Sequence, residues 1–100
     1  MASHFVYILR NANGVYYKGS TATPSQRLSA HNSNESRYTA GKGPWEMVFL
    51  QKLANKRDAL IRERALKKKG TEYLEWLITQ PMNLMLNGVH LGLIEVGQNE

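Results

Sequence analysis

The sequence predicts one α/β domain of the α+β type: a three-stranded, mainly antiparallel sheet flanked by helices, with a C-terminal extension. Residues 5–10 and 15–20 are short apolar runs on either side of an Asn-Gly pair, a pattern typical of a β-hairpin. Residues 45–53 form a third apolar run and predict a third strand. With 100 residues, the chain is long enough for a single core.

The length of the hairpin loop decides whether its two tyrosines, Tyr7 and Tyr17, share a face. Successive side chains of a strand point to opposite faces, so a two-residue turn would place the two rings on opposite sides of the sheet. A three-residue loop over residues 12–14, closed by a left-handed glycine, would pair Leu9 with Tyr17 and Tyr7 with Gly19. If the tyrosines form one site, the three-residue loop is the prediction.

The first helix begins after a clear start signal. Thr23 is a suitable N-cap, Pro24 suits the first helical position, and Gln26 completes the spacing of a capping box. We expect this helix to end near Asn32. Residues 33–44 then read as a loop rich in Ser, Asn and Gly.

The strand predicted over residues 45–53 is apolar on both faces, which favours a place in the middle of a sheet covered on both sides. Regular alternation would set two residues against two others: Val48 and Leu50 opposite Met47 and Phe49. The loop before it carries basic and aromatic side chains, namely Arg37, Tyr38 and Lys42. They suit contacts with phosphates and bases, and they equally suit a solvated loop with one anchoring tyrosine.

The second helix is predicted to begin after Asn55 as its cap and to end in the lysine run 67–69, just before a glycine. On this helix Glu63 lies on or beside the buried stripe. A carboxylate in such a place needs a partner, because burying it alone is prohibitive. The partner is either a basic residue such as Lys67 or a divalent cation bound through oxygen.

A third helix is predicted over residues 71–79, capped by Thr71 and stopped by Pro81. Residues 82–96 alternate apolar residues around a second Asn-Gly pair and predict another hairpin. We therefore divide the chain into a domain over residues 1–80 and an extension over residues 81–100. The extension is interpreted as an added sheet edge or as a contact in a homodimer.

Charge is distributed unevenly along the chain. All 13 Lys and Arg residues lie between positions 10 and 69 with only four acids, a net of +9, whereas residues 70–100 carry four acids and no Lys or Arg. A basic body of this kind indicates a face that binds a polyanion. The chain has no cysteine, which excludes disulfides and thiolate metal sites. No signal peptide or membrane-length apolar run is present in the sequence, so we expect a cytoplasmic protein without a membrane partner.

Several segments resemble the GIY-YIG nuclease superfamily, in particular its small single-domain bacterial members, which are related to the nuclease domain of a DNA-repair excinuclease. The first strand corresponds to GIY, and residues 17–19 correspond to YIG. The resemblance continues through further segments in the same order: residues 26–32, 37–39, 43–46, 59–63 and 72–78. It implies a metal-dependent endonuclease acting on DNA, structure-directed or weakly sequence-specific and with room for a targeting protein partner.

The resemblance also implies a role for each site residue. Glu63 would hold one Mg²⁺ or Mn²⁺ ion, Arg27 would bind the scissile phosphate, and Tyr17 would activate the water. Tyr7 would position that water or support the second tyrosine, while His31 would hydrogen-bond a tyrosine or accept its proton. From spacing alone, the Arg27 and His31 pair reads otherwise, as a solvated arginine beside an exposed histidine. Further contacts with DNA are expected from five residues: Lys18, Arg37, Tyr38, Lys42 and Lys67.

Two positions depart from the family pattern. Lys18 stands where an aliphatic residue is usual, and strand alternation points it away from the tyrosine before it. Ser20 stands where some members have a lysine that serves as a proton acceptor. A late asparagine of the family would correspond to Asn83. These departures keep two alternatives open: a catalytically inactive nucleic-acid-binding module of the same fold, or a dimerising interaction protein.

Overall fold

A computed structural model describes residues 3–86 of the chain. Three strands and three helices follow one another in the order β1, β2, α1, β3, α2, α3. Their bounds are His4–Asn11, Tyr16–Thr21, Pro24–Asn32, Trp45–Leu53, Lys56–Lys67 and Thr71–Ile78. The predicted α+β class with a three-stranded antiparallel sheet is confirmed, and the third strand has the predicted bounds.

The central strand of the sheet is β1. The strand order is β2-β1-β3, and both pairings are antiparallel. The prediction that the strand over residues 45–53 lies in the middle is therefore wrong: within residues 3–86, β3 is an outer strand. It is nevertheless covered on both faces, because one apolar cluster packs against α2 and α3 and another packs against α1 and residues 84–85.

The hairpin between β1 and β2 has the predicted three-residue loop. The Asn11 N–H donates to the Val15 carbonyl at 3.1 Å, and Gly14 takes a left-handed φ of 79°. Across the two strands Tyr7 pairs with Gly19. The parity argument is thus confirmed, and both tyrosines join the same apolar cluster.

A β-bulge in β3 breaks the expected alternation. Ile8 pairs with Phe49 but the next residue, Leu9, pairs with Met47, so Val48 is the extra residue. Val48 consequently packs in the same cluster as Phe49, while Met47 packs in the other cluster, together with Leu50. The predicted grouping of these four side chains was wrong, because a bulge shifts the parity of a strand by one residue.

Asn83 holds this bulge in place. Its side-chain amide donates to the carbonyls of Val48 at 2.9 Å and of Ile78 at 2.8 Å. Its Oδ1 accepts from the N–H groups of Leu50 at 3.1 Å and of Met85 at 3.0 Å. Asn83 is 1% exposed, and its hydrogen bonds to Val48 and Ile78 connect the bulge to the end of α3. All four contacts are to the backbone.

The observed N-termini of the helices agree only in part with those predicted from the sequence. Asn55 caps α2 as predicted, its side chain accepting from the Asp58 N–H at 2.8 Å. Thr23 is the N-cap of α1 and Pro24 its first residue, as predicted, but the Thr23 side chain makes no capping bond, so the predicted capping box is wrong. The Thr23 N–H instead donates to the Thr21 hydroxyl oxygen at 3.0 Å. The N-cap of α3 is Gly70, one residue before the predicted cap, Thr71.

A second hairpin was predicted over residues 82–96. Residues 82–86 form turns and not a strand, and residues 87–96 lie outside the described part of the chain. Leu84 and Met85 pack against the sheet, so the first residues beyond position 80 contribute to the core. Within residues 3–86, no helix is both long and apolar enough to cross a membrane.

Candidate active site

Tyr7 lies at the centre of the site because β1 is the central strand. Its side chain is 1% exposed, and its ring passes over Gly19 on the neighbouring strand. A Cβ atom at Gly19 would stand 2.6 Å from the Tyr7 hydroxyl oxygen and 2.7 Å from Cζ. Glycine is therefore required opposite Tyr7 if the phenol is to keep this position.

A chain of hydrogen bonds runs through the Tyr7 hydroxyl. Arg27 Nε donates to it at 3.4 Å, and the hydroxyl lies 2.9 Å from His31 Nε2. On the far side of the imidazole ring, His31 Nδ1 lies 2.7 Å from Thr39 Oγ1, and the Thr39 hydroxyl donates to the Ser36 carbonyl at 3.5 Å. Because the Thr39 hydroxyl donates to Ser36, its oxygen accepts from Nδ1–H of His31, and Nε2 of the neutral ring then accepts from the Tyr7 hydroxyl.

Burial determines the protonation states of Tyr7 and His31. Desolvation, partly offset by the hydrogen bond from Arg27, raises the pKa of Tyr7 to about 12. Desolvation and the positive charge of Arg27 lower the pKa of His31 below its usual value. Near neutral pH both groups are uncharged, as the hydrogen-bond directions require. Tyr7 therefore acts as a fixed phenol, and its proton is held by an imidazole that is 0% exposed.

Tyr17 is the more accessible of the two tyrosines. It is half-buried, and its ring lies 6.3 Å from that of Tyr7 and 4.8 Å from that of His31, measured between centroids. On its outer side the ring lies 5.7 Å from that of Tyr38. The hydrogen bond that Arg27 donates to Tyr7 raises the pKa of the guanidinium, and the Tyr17 phenol acts in the same direction. One exposed arginine thus contacts the Tyr7 phenol and lies near that of Tyr17.

Glu63 approaches the same region from α2. Its carboxylate is 15% exposed; Oε1 accepts from the Ser20 hydroxyl at 2.7 Å, and Oε2 forms an ion pair with Lys67 Nζ at 2.9 Å. Hydrogen bonding to Glu63 raises the pKa of Lys67. The expectation that this carboxylate needs a partner is confirmed, and the partner in this structure is the lysine one helical turn later. The negative charge of Glu63 also acts on Tyr7, whose pKa it raises.

The donor set at Glu63 suits one hard cation held mainly by water and substrate. Within residues 3–86, no group of three His, Cys, Asp or Glu side chains converges on a single point. A single carboxylate is a normal protein contribution to a Mg²⁺ site when phosphate oxygens and waters complete the coordination. Lys67 is on a flexible stem and 55% exposed, so it can leave Oε2 to such an ion.

Only some of the residues expected to contact DNA lie together in the structure. Lys18, Tyr38 and Lys67 line one cavity together with Tyr16 and Tyr17. Lys18 pairs with Ile8 and therefore lies on the face of the sheet opposite Tyr17, as alternation predicts. Both residues nevertheless line this cavity, because it opens at the outer edge of β2.

The two remaining residues of that set lie on the loop after α1. Lys42 Nζ stands 4.1 Å from the centroid of the Tyr38 ring. Arg37 is exposed and is not among the residues that line the cavity. Of the residues expected to contact DNA, Arg37 is thus the one that the structure leaves apart.

The family model of the GIY-YIG catalytic domain matches residues 3–74. The chain belongs to this family. The match takes in the five residues that the resemblance made candidates for catalysis: Tyr7, Tyr17, Arg27, His31 and Glu63.

Relatives of known sequence agree with this membership. The chain is 40% identical over 82 residues to a UPF0213 protein of Aeromonas hydrophila and 36% identical over 66 residues to one of Oceanobacillus iheyensis. These matches cover 80% and 65% of this chain, and 60% and 77% of the two relatives. The chain thus spans about 60% of the length of the Aeromonas relative.

A solved structure shares the fold. The solution NMR structure of a UPF0213 protein from Bacillus halodurans superposes with a TM-score of 0.54 at 28% sequence identity. The superposition covers 87% of this chain and 94% of that one. The predicted resemblance and the predicted fold class are both confirmed by these likenesses.

Three residues of this candidate site had no role assigned to them in the sequence analysis. Thr39 fixes His31, Gly19 makes room for Tyr7, and Ser20 bonds to Glu63. Only Gly19 was signalled by the sequence, through the register that pairs it with Tyr7. The other two act across separations of 8 and 43 residues, which no local pattern reveals. Asn83, which the resemblance suggested for the site, makes its bonds to the backbone of β3 and of residues 78 and 85.

Proposed function

We propose that this protein is a metal-dependent endonuclease that hydrolyses phosphodiester bonds in DNA. The observation that carries the proposal is the guanidinium of Arg27, whose Nε donates to the Tyr7 hydroxyl at 3.4 Å, while the Tyr17 ring lies 6.3 Å from that of Tyr7. A phosphodiester cleavage site needs charge stabilisation at the phosphate, a positioned water and help for the leaving oxygen. Arg27 is exposed, so its remaining donors are available to a phosphate.

In this proposal the two tyrosines divide the work. Tyr7, whose pKa is raised to about 12 and whose proton is directed at His31, positions groups as a neutral phenol. Tyr17 is the half-buried ring beside it and is the group proposed to take the proton of the attacking water. His31 orders Tyr7 rather than Tyr17, since its Nε2 bonds to the Tyr7 hydroxyl. Arg27 holds the scissile phosphate against both.

Glu63 is proposed to hold one Mg²⁺ or Mn²⁺ ion. When bound, such an ion would offset negative charge on the leaving 3′ oxygen. Ser20 keeps Oε1 of the carboxylate oriented by its hydrogen bond, and Lys67 balances the charge of the carboxylate while no ion is bound. In this proposal the metal ion would replace the Lys67 ammonium at Oε2 of Glu63, and Lys67 would move toward solvent.

One observation favours a second candidate, a DNA-binding module without catalysis. Both oxygens of Glu63 have partners within the chain, Ser20 and Lys67. If Lys67 held Oε2 permanently, the carboxylate would recruit no metal, while the basic and aromatic surface around Tyr38 would still bind nucleic acid. The two candidates differ in a single measurable property, which is cleavage that depends on Glu63.

The test uses a panel of single-stranded, flapped, branched and duplex DNAs with Mg²⁺ or Mn²⁺. Glu63→Gln keeps the size of the side chain and removes its charge, and we expect it to lower the cleavage rate at least about 100-fold. Glu72→Gln, at an exposed acid in the first turn of α3, is the matched control and should cut like the wild type. Binding of Mn²⁺, followed by its electron paramagnetic resonance signal, should be lost with Glu63→Gln alone.

The outcomes separate the candidates. Cleavage by the wild type and by Glu72→Gln but not by Glu63→Gln supports the nuclease. DNA binding without cleavage, together with no Mn²⁺ binding, supports the inactive module. Equal cleavage by the wild type and by Glu63→Gln would remove Glu63 from the site.

A further inference from the structure

A cavity of about 330 Å³ opens at the outer edge of β2, directly beside Tyr17. Three tyrosines and two lysines line it: Tyr16, Tyr17, Tyr38, Lys18 and Lys67. Its volume is at the lower end of the range for small-ligand sites. Aromatic walls with cations at the rim are the chemistry that recognises a nucleotide, which presents a flat apolar base and an anionic phosphate.

The arrangement of the walls is held by contacts on two sides. The Tyr38 ring lies 5.7 Å from that of Tyr17, at an interplanar angle of 32°, and Lys42 Nζ lies 4.1 Å from the Tyr38 centroid. Opposite, the Tyr16 hydroxyl donates to Glu75 on α3 at 3.4 Å. Tyr38 is 58% exposed, so its ring is accessible to a ligand.

The cavity is continuous with the proposed cleavage site. Tyr17 belongs to both, and Lys67 lines the cavity while its ammonium lies 2.9 Å from Glu63. A group in the cavity is therefore next to the phosphate that Arg27 and Glu63 would hold. Within residues 3–86, β2 pairs only with β1, so its outer edge is open to a strand of nucleic acid.

We propose that this cavity is a subsite for one unpaired nucleotide of the DNA substrate, immediately beside the scissile phosphate. The base lies against the ring of Tyr38, which is next to that of Tyr17, and the flanking phosphates face Lys18 and Lys67. A base that is still paired and stacked in a duplex presents no face to these rings, so the substrate class is DNA that is single-stranded or unpaired at the cut. The proposal rests on the proposed function, because it takes DNA as the substrate.

Binding without metal tests the subsite apart from catalysis. The probes are a short fluorescently labelled single strand and the same strand in a blunt duplex, with EDTA present and anisotropy as the readout. We expect the single strand to bind more tightly. Tyr38→Ala should weaken binding of the single strand about tenfold or more, because stacking on one aromatic ring accounts for that factor, and should leave duplex binding unchanged.

Two matched variants control for loss of structure. Tyr38→Phe keeps the ring and should bind the single strand like the wild type. Trp76→Ala removes an aromatic side chain of similar exposure, 53%, that does not line the cavity, and should also bind like the wild type. Since Tyr38 lies in an exposed loop outside both core clusters, its substitution leaves the core intact.

An abasic scan locates the subsite on the DNA. Single strands in which one nucleotide at a time lacks its base should lose affinity at one main position. That position should adjoin the bond that the wild type cuts when Mg²⁺ is added. In Tyr38→Ala the same abasic substitution should cause no further loss of affinity, because the ring that the base would contact is already absent.

The results distinguish the subsite from the nuclease. If Tyr38→Ala weakens single strand and duplex by the same factor, or weakens neither, the subsite is refuted even when Glu63-dependent cleavage is found. If single-strand binding depends on Tyr38 but no DNA is cut with Mg²⁺ or Mn²⁺, the subsite stands and the nuclease fails. Duplex cut as fast as single strand would also refute the subsite.

Discussion

Gly19 shows how a residue without a side chain can determine the geometry of this site. It lies opposite Tyr7 in the sheet, and the ring of Tyr7 fills the space where a Cβ atom would stand. The backbone of β2 cannot retreat without breaking its pairing with β1. Any larger residue must therefore displace the Tyr7 hydroxyl, and with it the hydrogen bonds to Arg27 and His31.

We expect Gly19→Ala to lower the free energy of unfolding by about 1–3 kcal/mol, the usual cost of overpacking. The same substitution at Gly70 is the control, because a Cβ there meets no atom within 4 Å and the backbone φ of −83° suits alanine. Gly70 is the N-cap of α3, where alanine is less favourable than glycine, so Gly70→Ala should cost less than about 1 kcal/mol. Urea unfolding measures both, and equal effects of the two variants would contradict this account of Gly19.

His31 makes stability depend on pH. Its folded pKa is lowered by burial and by Arg27, whereas in the unfolded chain it titrates near 6.5. As pH falls through about 6.5 the unfolded chain takes up a proton that the folded chain refuses, so unfolding becomes easier. Stability should be level above that pH and then fall with a slope of up to about 1.4 kcal/mol per pH unit for this one group.

The measurement is urea unfolding at a series of pH values between neutral and mildly acidic. His31→Gln should flatten the acid side of the profile. His4→Gln is the control: the pKa of His4 is also lowered, by partial burial and by Lys56, but His4 has no part in the Tyr7 network, so most of the slope should remain. Stability that rises on acidification would contradict the buried neutral imidazole.

At the scale of elements, sequence reasoning succeeded where a choice had only two outcomes. The hairpin loop had two possible lengths, and the condition that Tyr7 and Tyr17 form one site selected the three-residue loop. Helix α2 carried an asparagine cap, an early acid and a late run of lysines, all of which point the same way. Local signals of this kind act within a few residues and are visible in the sequence.

Sequence reasoning failed where the deciding contacts are distant. The strand over residues 45–53 is apolar on both faces. Its sequence therefore does not show which side chains point to which face, and it cannot reveal the bulge at Val48. The polar partner of that bulge, Asn83, lies 35 residues away in sequence. Thr23 is the N-cap of α1 as predicted, but its N–H donates to the Thr21 hydroxyl and so is not left for Gln26, as a capping box would require.

The bulge leads to a prediction about Asn83. Asn83→Ala would leave the Val48 carbonyl and the Leu50 N–H without their partners in a buried place, so we expect a loss of roughly 2–4 kcal/mol in unfolding free energy. Gln80→Ala is the control, since its amide bonds only to a neighbouring turn at the end of α3, and it should cost less than about 0.5 kcal/mol.

Amide hydrogen exchange adds a local readout. The Leu50 N–H donates to Asn83 Oδ1, so its exchange should accelerate in Asn83→Ala beyond what the global loss of stability explains. A catalytic role for Asn83 alone would predict unchanged stability and unchanged exchange, with lower cleavage.

For the whole molecule, the two outer strands of the sheet differ in charge. On the β2 side, Lys18 and Lys67 line the cavity, Lys67 being paired with Glu63 at 2.9 Å, and Lys42 lies on the ring of Tyr38. On the β3 side, Arg10 is paired with Glu46 at 3.5 Å. The excess of basic residues between positions 10 and 69 is therefore only partly neutralised, and the tyrosine-lined edge is the one that presents lysines around a cavity.

This asymmetry predicts which lysines govern the salt dependence of DNA binding. Each phosphate neutralised on a single strand contributes about 0.7 to the slope of log affinity against log salt, because a counterion is released. Lys42→Gln should lower that slope by about this amount for a labelled single strand in EDTA. Lys52→Gln makes the same change of net charge on β3, at the opposite side of the sheet, and should leave the slope unchanged. If both variants flattened the slope equally, binding would follow net charge alone, and the DNA would have no preferred edge on this molecule.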